Sequence, residues 1–268
     1  MRNETILWVL LVCIALAGTG YWYYHERWGK TPELVVVPQE VEAEADTTGD
    51  DEPRYPLVPA TTSDSERPEL RPLPPLDDSD EYFRMELTGL FGQDSESLIV
   101  RSGLVERLVA TIDNLPRQRV SERIRPLSPL DEPFVVEGGE GSAQYMLDPV
   151  NYRRYDDLVA TFTAADPQEV VALYRRYYPL LQKAYEGLGY PDDYFNDRLV
   201  EVIDHLLEAP AVEGAIELKR PHVLYEFADP ELEALSGGQK LMLRLGPDNR
   251  RLVEARLRDF RSRIANDN

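Results

Sequence analysis

The chain has 268 residues and a formal net charge of -20 at pH 7, from 29 Lys plus Arg against 49 Asp plus Glu. So acidic a chain lacks the dense basic surface that neutralises phosphates, which argues against nucleic-acid binding. One Cys excludes an intrachain disulfide and, with three His, leaves few ligands for a transition metal. We therefore expect no metal site and no cofactor.

The first predicted element is an apolar run from Ile6 to Tyr24 without a charged side chain. About 20 apolar residues in a helix match the hydrocarbon thickness of a bilayer, and the aromatic residues that end the run suit the headgroup boundary. We expect one transmembrane helix within an anchor of residues 1–30, through which the protein contacts the membrane. The alternative is a cleaved signal peptide, for which Ala15 to Ala17 offers a small-x-small site.

A second region, residues 31–78, contains thirteen acidic residues, three basic residues and nine prolines. Such a composition cannot bury enough apolar surface to offset the entropy of ordering, so the region is predicted to be a disordered linker. Its orientation relative to the membrane is open. Arg27 and Lys30 against Arg2 favour a cytoplasmic domain by the positive-inside rule, whereas the short N-terminal tail and the linker favour the opposite.

Residues 79–268 show apolar residues at helical spacing and are predicted to form one helical domain. Asp-Pro pairs at Asp148, Asp166 and Asp229 predict helix starts, because Asp accepts from free N–H groups and Pro fits the first helical position. The predicted helices cover 80–90, 103–114, 151–164, 167–188, 196–208 and 248–264. Residues 134–137 and 143–147 form one candidate β-hairpin across a Gly-rich turn. The predicted class is mostly α, with about six to eight helices after the transmembrane helix and the linker.

Residues 235–239 spell LSGGQ, the signature of ABC-transporter ATPases, in which a helix N-terminus faces a nucleotide phosphate. That role requires a P-loop, and the chain has no G-x-x-x-x-G-K-[ST]. The simpler interpretation is that Ser236 caps a helix and Gln239 completes a capping box. We therefore expect no nucleotide binding.

The densest group of titratable residues lies on the predicted helix 196–208 and comprises Glu201, Asp204, His205 and Glu208. Their three- and four-residue spacing places them along one stripe, where they could grip a metal or supply a base. Apolar residues occupy the opposite face, so a solvated polar face is the preferred interpretation. No G-x-S-x-G or H-E-x-x-H motif is present, and we assign no catalytic residues.

Arginines are concentrated in two parts of this acidic chain, and Arg forks bind carboxylates and phosphates. One group lies between two predicted elements and the other lies beside tyrosines on predicted helices, where we expect it to be exposed. These candidate partner-binding residues are Arg117, Arg119, Arg123, Arg125, Arg153, Arg154, Arg175 and Arg176. The alternative is that they pair with the domain's own carboxylates.

Several blocks of sequence stand together: LPPLDDSD (73–80), YRRYDDLV (152–159), ALYRRYYPLLQKAYEGLGYPD (172–192), DRLVEVIDHLLEAP (197–210) and RPHVLYEFADPELEALSGGQKLMLRLGP (220–247). They resemble a proteobacterial family known as domain of unknown function 3014. The resemblance implies a single-pass, inner-membrane-anchored envelope protein, favours a periplasmic domain, and brings no catalytic residues.

The expected function is a non-catalytic interaction or scaffold role in the envelope, with an envelope protein or an anionic envelope component as partner. The alternative is a carboxylate-dependent cell-envelope hydrolase. Two acids that converge in a pocket would favour the hydrolase, and an exposed surface of Arg and Tyr would favour the scaffold.

Overall fold

The computed structural model describes residues 52–57, 72–129, 133–138, 142, 144–222 and 224–265. The predicted transmembrane helix and much of the predicted linker lie outside these residues. Within them, no helix combines the length and the apolar composition needed to cross a bilayer.

The predicted mostly helical class is confirmed for the described residues. Their α-helices are α1 (Asp80–Phe91), α2 (Leu104–Asn114), α3 (Val150–Arg153), α4 (Asp156–Thr163), α5 (Pro167–Gly187), α6 (Phe195–Leu207), α7 (Pro230–Ala234), α8 (Gly237–Arg244) and α9 (Gly246–Ile264). Short 3-10 turns lie at Leu76–Asp78, Gln93–Ser97 and Glu122–Ile124.

All three Asp-Pro pairs start a helical segment as predicted. The carboxylate of each Asp accepts a hydrogen bond from the backbone N–H two residues later, at 2.8 Å for Asp148, 2.7 Å for Asp166 and 2.8 Å for Asp229. Each carboxylate therefore satisfies one of the N–H groups that a helix start leaves free.

The single helix predicted over 151–164 is wrong, because the chain breaks between α3 and α4. Asn249 of α9 reaches across this break, and its side-chain amide donates to the Tyr152 carbonyl at 3.0 Å and to Asp156 at 2.8 Å. A backbone carbonyl of α3 is thus bound by a distant side chain. Tertiary contacts of this kind override the local helical pattern.

Helix α5 is the central element of the core and contacts α1, α2, α6 and α9. Its buried tyrosines pack against aromatic rings of its neighbours: Tyr177 lies 4.5 Å from Phe83, and Tyr174 lies 5.4 Å from Phe260, between ring centroids. The predicted apolar seam of α9 is confirmed, since Val253, Leu257, Phe260 and Ile264 are all buried.

The predicted hairpin is confirmed and is part of a larger sheet. Strand β1 (Val136–Glu137) pairs antiparallel with β2 (Tyr145–Leu147), which pairs with β3 (Glu217–Lys219), and β3 pairs with β4 (Glu226–Phe227). The sheet covers a second, smaller apolar cluster that includes Tyr145, Leu218 and Phe227. Strands β3 and β4 were not predicted from the sequence.

Two stretches inside the predicted linker 31–78 contact the domain. Leu73 and Leu76 pack on the main core just before α1, and Tyr55 and Leu57 pack on it from further upstream. The boundary between linker and domain stays a prediction, but part of this acidic region belongs to the domain surface. Within residues 52–57, Arg54 and Tyr55 contact polar side chains of α6.

Candidate functional site

Helix α6 carries the polar group that the sequence singled out. Its apolar side is buried, with Leu199, Ile203 and Leu206 at 0% exposure. The structure gives three of the four titratable residues of the other side, Glu201, Asp204 and His205, different partners. The fourth, Glu208, is exposed at the C-terminal end of the helix.

Two of the three carboxylates in this group are paired with arginines. Glu201 forms ion pairs with Arg54, from the segment upstream, and with Arg198. Asp204 accepts from the guanidinium of Arg261 on α9 at 2.5 and 3.0 Å, in a two-pronged arrangement. Both carboxylates are thus already bound by guanidinium groups of the chain itself.

His205 meets the LSGGQ stretch, with its Nε2 2.8 Å from the Ser236 Oγ. Burial lowers the pKa of His205 below its ordinary 6.5, against the opposing effect of the Glu208 carboxylate. A Ser beside a neutral His resembles the start of a nucleophilic pair. However, Ser236 is itself buried, and its Oγ accepts the Gln239 N–H at 3.1 Å as the cap of α8.

The N-terminus of α8 has no free donors for a phosphate at its first three N–H groups. The Gly237 N–H donates to the Arg117 carbonyl at 2.7 Å, and the Gly238 N–H donates to the Leu115 carbonyl at 2.9 Å. The third N–H group, that of Gln239, donates to the Ser236 Oγ. An anion site at a helix N-terminus depends on such groups being available. The predicted Ser236 cap is therefore confirmed. The predicted return bond of the capping box, from the Ser236 N–H to the Gln239 side chain, is absent. The Gln239 side chain is turned toward α6 instead, where its Nε2 donates to the His205 carbonyl at 3.2 Å.

The first turn of α6 binds a polypeptide segment that sequence reasoning missed. Asp197 accepts two consecutive backbone N–H groups, from Arg54 at 2.9 Å and from Tyr55 at 2.8 Å. The neighbouring Asn196 donates its amide to the Tyr55 carbonyl at 2.7 Å. These contacts join residues more than 140 positions apart, so no local pattern could have revealed them.

The described residues contain no group of three or more His, Cys, Asp or Glu placed to hold a metal. One cavity in the core of these residues has a volume of about 30 Å³ and is lined by apolar and aromatic side chains; the hydroxyl of Tyr174 on its wall donates to Asn196. A larger, open pocket of about 390 Å³ is lined in part by Glu86 and Glu169, and Glu86 is paired there with Arg176.

Comparison with known proteins gives one match. Residues 104–261, more than half of the chain, match the family described as "Protein of unknown function (DUF3014)". The chain belongs to the DUF3014 family. No curated protein and no solved structure matches it. The DUF3014 region runs from the start of α2 into α9 and contains Asn196, Asp197 and Glu201, whereas residues 52–57 lie upstream of it.

The eight candidate arginines of this DUF3014 protein fall into three groups by exposure. Arg117, Arg119, Arg123 and Arg153 are exposed. The expectation of exposure is wrong for Arg154, which is 8% exposed at the α3–α4 break, and Arg125, at 4%, is buried as well. Arg175 and Arg176 are half-buried, because one donates to the Arg263 carbonyl at 3.3 Å and the other forms an ion pair with Glu86.

Proposed function

We propose that the protein is a membrane-anchored envelope protein with a non-catalytic interaction or scaffold role. In this proposal the segment Ile6 to Tyr24 spans the inner membrane once and the helical domain lies in the periplasm. The observation that carries the interaction role is the polypeptide already bound to the domain, with α6 holding the backbone of Arg54 and Tyr55. Side chains that hydrogen-bond the backbone of one polypeptide segment can also bind the backbone of a polypeptide partner.

The partners of the polar side chains on α6 and at the start of α8 support an interaction role over a hydrolase. Glu201 and Asp204 are engaged with arginines, and Ser236 is engaged as a helix cap. A hydrolase needs an acid or a nucleophile that can reach its substrate. Three members of the α6 group are engaged in this way, and the fourth, Glu208, is exposed at the C-cap of α6.

The partner surface is proposed to include the exposed arginines Arg119, Arg123 and Arg153. None of the three makes a side-chain ion pair with the described residues, whereas the exposed Arg117 pairs with Asp113. Exposed guanidinium groups remain free to bind carboxylates or phosphates in a forked geometry. This surface suits an anionic envelope component or the acidic face of an envelope protein.

In-cell photo-crosslinking tests the proposal. A photo-reactive residue in place of Gln118, beside Arg119, should capture a discrete partner, whereas one in place of the exposed Lys183 on α5 should not. The Arg119→Gln change should abolish the product at position 118. The matched charge change Arg101→Gln, at another exposed arginine, should leave it intact. Equal capture at both crosslinker positions would contradict the proposal.

Membrane topology is tested separately. An alkaline phosphatase fused after Asn268 should be active, because the enzyme works only in the periplasm. An inactive phosphatase, with fluorescence from a cytoplasmic reporter at the same place, would overturn the periplasmic assignment.

A further inference from the structure

The contact between residues 52–57 and α6 has the features of peptide recognition. Both oxygens of one carboxylate, Asp197, accept consecutive backbone N–H groups, and Asn196 binds the carbonyl that follows. Consecutive N–H groups that converge on one anion form a concave nest, which is a recurring way to bind a carboxylate. Here the carboxylate belongs to the domain and the nest belongs to the segment.

The receiving side is held by contacts that do not involve the segment. Asn196 is 1% exposed. Its Oδ1 accepts the Tyr174 hydroxyl at 2.8 Å and its Nδ2 also donates to the Ile264 carbonyl at 3.1 Å. Asp197 lies in the first turn of α6, where the helix dipole favours a negative charge. A site whose groups are fixed by the fold loses little freedom on binding.

The segment itself has the character of a ligand. Tyr55 and Leu57 pack on the core as half-buried side chains, while Arg54 extends along the surface to Glu201 and stays 61% exposed. Pro53 and Pro56 flank the two residues whose backbone is bound. Prolines restrict the free segment and so reduce the entropy lost on docking.

We propose that the first turn of α6 is a peptide-binding site that recognises the pattern Arg-Tyr-Pro-Leu, and that residues 52–57 of the same chain are its occupant in cis. The segment covers the site and withholds it from any other polypeptide with this pattern. Asp197 and Asn196 hydrogen-bond the peptide backbone, and Glu201 pairs with the arginine. The apolar surface beside them packs against Tyr55 and Leu57. This proposal rests on the proposed interaction role and names the site for one kind of partner.

The attachment in cis determines how the site behaves. Fourteen residues, 58–71, lie in the chain between the segment and Pro72, the next residue that the structure describes. A short connection of this kind gives an effective concentration on the order of millimolar. An outside peptide must compete with that concentration, so it should bind at least about tenfold more weakly while the segment is docked.

A labelled peptide of residues 50–59 is the probe, with the full chain purified in detergent. The Arg54→Ala, Tyr55→Ala, Leu57→Ala triple variant removes the occupant and leaves the site intact. The peptide should bind this variant at least about tenfold more tightly than the wild-type chain. Adding Asp197→Ala should abolish binding. Adding Asp157→Ala, which removes an exposed aspartate from the first turn of α4, should not.

Three results would overturn the proposal: no binding to the triple variant at millimolar peptide, equal binding to the wild type, or binding that survives Asp197→Ala. A peptide with Tyr55 replaced by Ala serves as the sequence control and should bind weakly. Failure here would leave capture at Gln118 unaffected, because Arg119 is not part of this site. If the crosslinker at position 118 captured no partner while the peptide still bound, only the proposed partner surface around Arg119 would be contradicted.

Discussion

The substitution Gly238→Ala tests whether the LSGGQ stretch serves packing. Gly238 is the second residue of α8, and an added Cβ would lie 2.5 Å from the Leu206 Cδ2 and 3.1 Å from the Leu115 carbonyl oxygen. Carbon atoms normally approach to about 3.5–4.0 Å. Leu206 would therefore have to retreat by about 1 Å. Both leucines are at 0% exposure, and the Leu115 carbonyl is held by the Gly238 N–H itself.

Overpacking of this kind costs about 1–3 kcal/mol, while replacing Gly by Ala in a helix gains up to about 1 kcal/mol. The free energy of unfolding should therefore fall by about 1–2 kcal/mol. Gly89 on α1 is the matched control, since an added Cβ meets nothing within 4 Å. Gly89→Ala should raise the free energy of unfolding by about 0.5–1 kcal/mol.

Urea unfolding of residues 52–268, followed by circular dichroism, measures both changes. Opposite signs for the two glycines are expected. Equal effects would refute the packing account of Gly238. ATP should leave the unfolding midpoint of the unsubstituted fragment unchanged, because ligands stabilise only the state that binds them. A midpoint raised by ATP would refute the structural role assigned to the LSGGQ stretch.

Three further changes test other parts of the account by the same unfolding assay. Asp166→Ala removes the cap of α5 and should cost about 1 kcal/mol, while Asp157→Ala should change little. Because burial lowers the pKa of His205, the unfolded chain binds its proton first, so the free energy of unfolding should fall as the pH drops below 6.5. The His205→Gln variant should show a weaker fall of the free energy of unfolding with falling pH. The same pH dependence in the variant and the unsubstituted fragment would contradict the assignment to His205. A fragment that begins at residue 72 should be less stable than one that begins at residue 52, by about 1 kcal/mol, because it lacks the docked segment; equal stability would count against the docking.

The sequence predicted the helices well where local chemistry determines them. Asp-Pro pairs start helical segments because the Asp carboxylate and the next free N–H lie within three residues of each other, and the buried seam of α9 follows from its spacing. Short strands were harder to predict. Glu217–Lys219 and Glu226–Phe227 have three and two residues, too few to show an alternating pattern.

The candidate site was predicted less well, because its contacts join distant parts of the chain. Helical spacing placed Arg176 on the outer face of its own helix but could not show that α1 brings Glu86 beside it. Arg154 was assigned to a helix face, whereas the break between α3 and α4 buries it. The bonds between Asp197 and the backbone of Arg54 and Tyr55 have no sequence pattern, since every residue except proline supplies a backbone N–H.

Amide hydrogen exchange at residues 52–57 measures whether this segment is docked on α6 in solution. In the full chain, the amides of Arg54 and Tyr55 should exchange more slowly than those of an unstructured peptide, because Asp197 accepts both hydrogens. Asp197→Ala should restore fast exchange there, while Asp157→Ala should leave the protection in place. Fast exchange at both amides in the unsubstituted chain would contradict the account.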